Sequence, residues 1–243
     1  EDTTFRLGLG SKPERTISGT WVDINQDGLT DLIEHIVGDH TIRTYLQTSN
    51  GMFDEILDPA WPIQANNVHF SAYGQAINDD KMYWFATRPT GLSSLLRHAP
   101  LYDKELSWEM GTSSHLRSYQ TQWGSVFSDL NNDGYTDIAV ATGNVKPDPY
   151  SKQMTVPSIA LCGFMKVDRL SFNQQEFDVK ACSTQRKTSA RSVLRIDYNN
   201  DGNMDLLFVA NNDFPLLLKN EHSSEDNWLG LTYPHHIKAR AII

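Results

Sequence analysis

The 243-residue chain carries 21 Lys and Arg against 30 Asp and Glu, a net charge of -9, with 39% apolar, 10% aromatic and 21% charged residues. That balance is ordinary globular usage and excludes a mainly disordered chain. Its acidity argues against a phosphate backbone as the main partner, so no nucleic acid is expected; no apolar run nears the roughly 20 residues of a membrane span, so none is expected in this chain.

In chain order, Thr20-Trp21-Val22 reads as a strand, because β-branched and aromatic residues suit a pleated, half-buried surface. An Asp- and Gly-rich loop from Asp23 to Asp31 follows, then a second strand at Leu32-Ile33. Thr41-Ile-Arg-Thr-Tyr45-Leu, a turn at Asn50-Gly51 and Met52-Phe53 continue the strand-like pattern. Gln75-Ala-Ile-Asn78-Asp79-Asp80-Lys-Met-Tyr83 precedes another apolar strand at Trp84-Phe85. Ser125-Val126-Phe127 and Ile138-Ala139-Val140 flank a second Asp-rich loop, and Asn144 to Tyr150, with two prolines, reads as an inserted loop. Further strands are expected at 158–164 and 172–179. Val193 to Ile196 and Leu206 to Val209 flank a third such loop. No segment has the period of a long helix, so the expected class is all-β.

The three loops repeat one pattern. They are Asp23-Ile-Asn25-Gln-Asp27-Gly28-Leu29-Thr-Asp31, Asp129-Leu-Asn131-Asn-Asp133-Gly134-Tyr135-Thr-Asp137 and Asp197-Tyr-Asn199-Asn-Asp201-Gly202-Asn203-Met-Asp205. Oxygen-bearing side chains stand at positions 1, 3, 5 and 9, a glycine at 6 permits a sharp turn, and the carbonyl at 7 can point inward. Calcium, a hard cation that takes about six to eight oxygens, is wrapped by a chain in this way. An Asp/Asn/Gly turn would explain one copy, but a turn needs no Asp at position 9. Nine repeated aspartates would repel one another unless a divalent ion neutralised them, and three calcium ions would bring the charge from -9 to -3.

An EF-hand loop is the nearest competitor, since it adds a bidentate Glu at position 12 and is framed by helices. Glu34 stands there in the first copy, but Val140 and Phe208 occupy it in the others, and the flanks read as strands. Each loop is therefore expected to join two strands. Gln75 to Tyr83 lies midway between the first two loops and reads as a copy that kept its strands and lost its ion. The loop starts at 23, 75, 129 and 197 give a period near 50 residues, the length of a propeller blade of about four short antiparallel strands. The expected organisation is one β-propeller-type domain over 1–243, with repeats at 1–58, 59–112, 113–180 and 181–243.

On these residues the chain resembles the FG-GAP and VCBS repeats of integrin-type propellers. Those blades carry Asp-x-Asn/Asp-x-Asp-Gly-x-x-Asp between their first two strands. The resemblance implies three structural calcium ions. Their ligands would be Asp23, Asn25, Asp27 and Asp31, then Asp129, Asn131, Asp133 and Asp137, then Asp197, Asn199, Asp201 and Asp205, with the carbonyls of Leu29, Tyr135 and Asn203. Leu217 to Asn220, Asn227 to Leu231 and Ile237 to Ile243 resemble the passage into an ASPIC/UnbV-type segment over 221–243; closing strands of a last blade are the alternative. Such a chain is expected to sit with further blades or domains of a longer protein.

No nucleophile elbow, phosphate-cradling Gly-rich loop or His-Glu-x-x-His is present. A non-catalytic module is expected, with a protein or glycan ligand on a loop face. Calcium sites of extracellular modules bind at about 10⁻⁴ to 10⁻³ M, so the location is expected to be extracellular or periplasmic. The alternative is a calcium-dependent, lyase-like enzyme acting on polysaccharide, with Arg97, His98, Tyr150 and Lys152 as candidates. Release of an unsaturated, absorbing product from a uronic-acid polysaccharide separates the two. His235-His236 reads as surface, and Trp61, Trp84, Trp108, Trp123 and Trp228 as mostly core. Cys162 and Cys182 allow either one disulfide or two buried thiols.

Overall fold

The computed structural model describes residues 2–10, 15–36, 42–56, 70–75, 82–87, 94–99, 101–105, 122–132, 134, 136–142, 162–168, 171–176, 190–211 and 213–221. Every regular element among them is a β-strand, as the alternating and β-branched runs predict. The first sheet holds β1 (Thr16–Val22), β2 (Asp31–Ile36), β3 (Ile42–Gln47) and β4 (Phe53–Ile56). A second holds β5 (Phe70–Gln75), β6 (Met82–Thr87), β7 (Ser94–Ala99) and β8 (Leu101–Glu105), and a third β9 (Gln122–Ser128), β10 (Asp137–Thr142), β11 (Cys162–Asp168) and β12 (Ser171–Glu176). The fourth has β13 (Ala190–Ile196), β14 (Asp205–Ala210) and β15 (Leu216–Leu218). All four are antiparallel meanders in sequence order, so each strand pairs with the one before it.

The first strands of successive sheets pack on one another: β5 lies against β1 and β9, and β9 against β13. The contact between the third and fourth sheets is built from small residues and a few large ones. Leu130, Ala139 and Ala141 meet Ala190, Val193, Leu206, Phe208 and Leu216 in one buried cluster. Gly124 lets the two sheets approach closely, because a Cβ there would lie 2.8 Å from the Ser192 Cα and 3.2 Å from the Arg191 carbonyl oxygen. Polar ties cross the same seams. Arg195 donates to the Phe127 carbonyl at 2.7 Å, and the Thr87 hydroxyl donates to the Trp123 carbonyl from the second sheet to the third. The Arg191 guanidinium sits 4.2 Å over the Trp123 ring, while Trp84 is buried as a core residue.

The first sheet has its own apolar centre at Val22, Ile24 and Ile33, with Ile42 and Leu46 packed against it. His35 on β2 is fully buried beside the Ser18 hydroxyl, 3.0 Å from its Nδ1. Burial pushes this imidazole down to about 4, and a hydrogen bond to the Ser18 main chain pulls weakly the other way.

Candidate metal-binding loops

Strand register decides where each loop begins and ends. In every sheet the residue before the loop pairs with the loop's ninth position: Val22 with Asp31, Gly74 with Tyr83, Ser128 with Asp137 and Ile196 with Asp205. The predicted loops therefore do join the first two strands of their sheets. In the second sheet the hairpin zips one pair further, Gln75 with Met82, and a buried Tyr83 fills the place that a buried aspartate holds elsewhere. Residues 76–81, with Asn78, Asp79 and Asp80, lie outside the described residues.

The three Asp-rich loops share two left-handed turns. Gly28, Gly134 and Gly202 have φ of 88°, 80° and 87°, the left-handed turn for which glycine carries no Cβ penalty. Position 4 is left-handed as well, at Gln26 (59°), Asn132 (55°) and Asn200 (58°). Sequence reasoning missed this second turn. Asparagine tolerates it and could have signalled it in two loops, but glutamine carries no such signal.

These two turns point successive amides of the loop at its side-chain oxygens. Asp23 accepts from the amides of Asp27 (3.1 Å) and Gly28 (2.8 Å), and Asn25 Oδ1 also accepts from Asp27 (3.1 Å). Asp27 in turn accepts from the Leu29 amide at 2.8 Å and from the Asn25 side-chain amide at 2.9 Å. The third loop repeats the set. Asp197 accepts from Asp201 (3.1 Å) and Gly202 (3.0 Å), Asn199 Oδ1 from Asp201 (3.3 Å), and Asp201 from Asn203 (2.9 Å) and the Asn199 side chain (2.7 Å). In the second, Asp129 accepts from Gly134 at 2.9 Å; Asn131 is described, whereas Asp133 and Tyr135 lie outside the described residues.

The ninth aspartate does a different job. Asp31, Asp137 and Asp205 are fully buried, and each accepts from the amide at position 2: Ile24 (2.9 Å), Leu130 (2.9 Å) and Tyr198 (3.2 Å). The other oxygen of Asp31 takes the Gln47 amide at 2.8 Å, and that of Asp205 the Asn220 amide at 2.7 Å. Asp31 and Asp205 thus clamp the loop's neck to a later strand-end of the same sheet, a role that spacing alone did not disclose. Burial pushes the Asp31 carboxyl above its usual range against the pull of the Gln47 and Ile24 amides, and the Asp27 and Asp23 carboxylates add to the rise. The exposed Asp201 carboxyl is held low, first by the Asn203 amide and then by Asn199.

The donor set fits a hard cation. Two acceptors in the first loop, on Asp23 and Asn25, share the single Asp27 amide, so oxygens outnumber hydrogen-bond donors there, and each carboxylate oxygen keeps a further lone pair. Among the described residues no three His, Cys, Asp or Glu side chains form a metal cluster by themselves. Glu34, the twelfth-position match to an EF-hand, lies on β2, where it pairs with Arg43 at 3.4 Å and accepts from the Thr16 hydroxyl. Strands flank it where an EF-hand requires helices.

Arg97 and His98 fall on β7 and Cys162 on β11. Tyr150, Lys152, Cys182, Trp61, Trp108, Trp228, His235, His236 and the 222–243 stretch lie outside the described residues. No family model matches the chain, and no curated protein matches it.

Proposed function

We propose that this chain is a calcium-stapled β-propeller-type module, extracellular or periplasmic, that presents a loop face to a protein or glycan and performs no catalysis itself. One observation carries the reading: three loops at the same place in three sheets share left-handed turns at positions 4 and 6, and in the first and third the side-chain oxygens at positions 1 and 3 accept from the loop's own amides. The packing of β1, β5, β9 and β13 in succession supports a propeller-like arrangement, in which each sheet is one blade. One calcium ion would be held at each loop, by Asp23, Asn25, Asp27, Asp31 and the Leu29 carbonyl in the first. Asp129, Asn131, Asp133, Asp137 and the Tyr135 carbonyl would serve the second, and Asp197, Asn199, Asp201, Asp205 and the Asn203 carbonyl the third.

Bound calcium would supply positive charge where several carboxylates crowd one turn. The chain's own contribution is to hold those oxygens together and to fix the loop's neck through the buried ninth aspartate. The ion is structural in this reading, because the loops sit at strand junctions. A ligand that binds only the folded state raises its stability by mass action, by about 1.4 kcal/mol when present at tenfold its Kd. Melting curves measured with chelator and with about 10 mM calcium, roughly ten times the weaker end of the extracellular range, are expected to differ by several degrees. Identical curves would remove the proposal.

A further inference from the structure

We infer that the second and third loops bind calcium as a coupled pair while the first binds alone, an inference that rests on the calcium reading of the loops. The first loop is self-contained among the described residues: the hydrogen bonds of its side-chain oxygens run to its own amides and to Gln47 of the same sheet. Its neighbour is the sheet whose corresponding connection, 76–81, lacks the aspartate pattern.

The second and third loops meet directly. The Asn132 side-chain amide, at position 4 of the second loop, donates to the Asn203 Oδ1 at 2.8 Å, at position 7 of the third. Asn220 makes a second bridge. Its side-chain amide donates to the Leu130 carbonyl at 2.7 Å and to the Met204 carbonyl at 3.2 Å, while its main-chain amide donates to Asp205 at 2.7 Å. Leu130 itself donates its amide to Asp137 at 2.9 Å. The two buried ninth-position aspartates are thus linked through Leu130 and Asn220. Leu130 also sits in the apolar cluster between the two sheets, with Met204 packed against it.

An ion that orders the third loop fixes Asn203, Met204 and Asp205, the residues that hold Asn132 and, through Asn220, Leu130. The second loop then loses less freedom when its own ion arrives, and the effect must be reciprocal. With two bridges carrying it, the coupling belongs at the low end of the usual range, about fivefold in affinity.

The test uses the full chain carrying Asp23→Ala, so that only the paired loops remain, titrated with calcium by calorimetry. Two ions with a Hill coefficient of about 1.4, the value for two like sites coupled fivefold, are expected. Adding Asn132→Gly removes one of the two bridges while glycine keeps the left-handed turn without strain, and the coefficient should fall toward 1, with the Asn220 bridge holding the remainder. Asn203→Ala is the second variant and should do the same. In the otherwise unchanged chain, Asp197→Ala should weaken the second-loop site about fivefold and leave the first-loop site as it was. Two ions with a coefficient of 1, insensitive to Asn132→Gly, would overturn the coupling while leaving the calcium reading intact. No bound calcium in the unaltered chain would overturn both.

Discussion

His35 should make the fold acid-sensitive in a window that can be worked out in advance. Its imidazole is fully buried and titrates near 4 when folded, against 6.5 for an ordinary histidine. The sign follows from which state binds the proton. Between pH 6.5 and 4 the unfolded chain holds it and the folded chain does not, so stability is full above the upper value and falls as pH drops. A gap of this size corresponds to about 3 kcal/mol across the whole window and about 2 kcal/mol by pH 5, since each pKa unit is worth about 1.4 kcal/mol. The assay is urea unfolding at fixed free calcium, at pH 7 and pH 5, for the natural chain and for His35→Gln. Glutamine removes the titration while keeping a polar side chain of similar length, so any constant cost of the substitution cancels between the two pH values. The natural chain should lose about 2 kcal/mol more than the variant on going to pH 5. Equal losses, or an NMR titration of His35 near 6.5, would refute the reasoning.

Other perturbations separate the parts of the account. Gly124→Val should destabilise by about 2 kcal/mol or more in chemical denaturation, because its side chain would meet the Ser192 and Arg191 backbone of β13; Gly134→Ala, which has open space around it but a φ of 80°, should cost about 1 kcal/mol through backbone strain alone. Asp31→Ala should destabilise by about 2 to 4 kcal/mol even in chelator, since it leaves the Ile24 and Gln47 amides without their buried acceptor. Asp27→Ala, on the exposed side of the same loop, should lose most of its effect once calcium is chelated, as thermal melting with and without chelator would show.

Much of this arrangement was legible because it depends on short-range chemistry. Thr20-Trp21-Val22 and Leu32-Ile33 bracket the first loop as strands, and the same bracketing recurs at 125–127 with 138–140 and at 193–196 with 206–209. The structure places strand pairs at each of these positions. Even the copy with Gln75 and Tyr83 in place of the first and ninth aspartates keeps the register, with Gly74 opposite Tyr83. What stayed hidden depends on distant partners. Nothing near Asp31 announces that Gln47 will bring it an amide, and nothing near Asp205 announces Asn220. The left-handed turn at Gln26 is imposed by the loop around it, against the residue's own preference. Gly124, Ala139 and Ala190 read as unremarkable small residues until two sheets are brought together over them. His35 looks like any strand histidine, and its complete burial beside Ser18 sets its chemistry.

The most direct measurement is an anomalous difference map from crystals of the whole chain grown with calcium. The account predicts a peak enclosed by each of the loops 23–31, 129–137 and 197–205 and none at 76–81. Three empty loops, or calcium found only at other places on the surface, would contradict it.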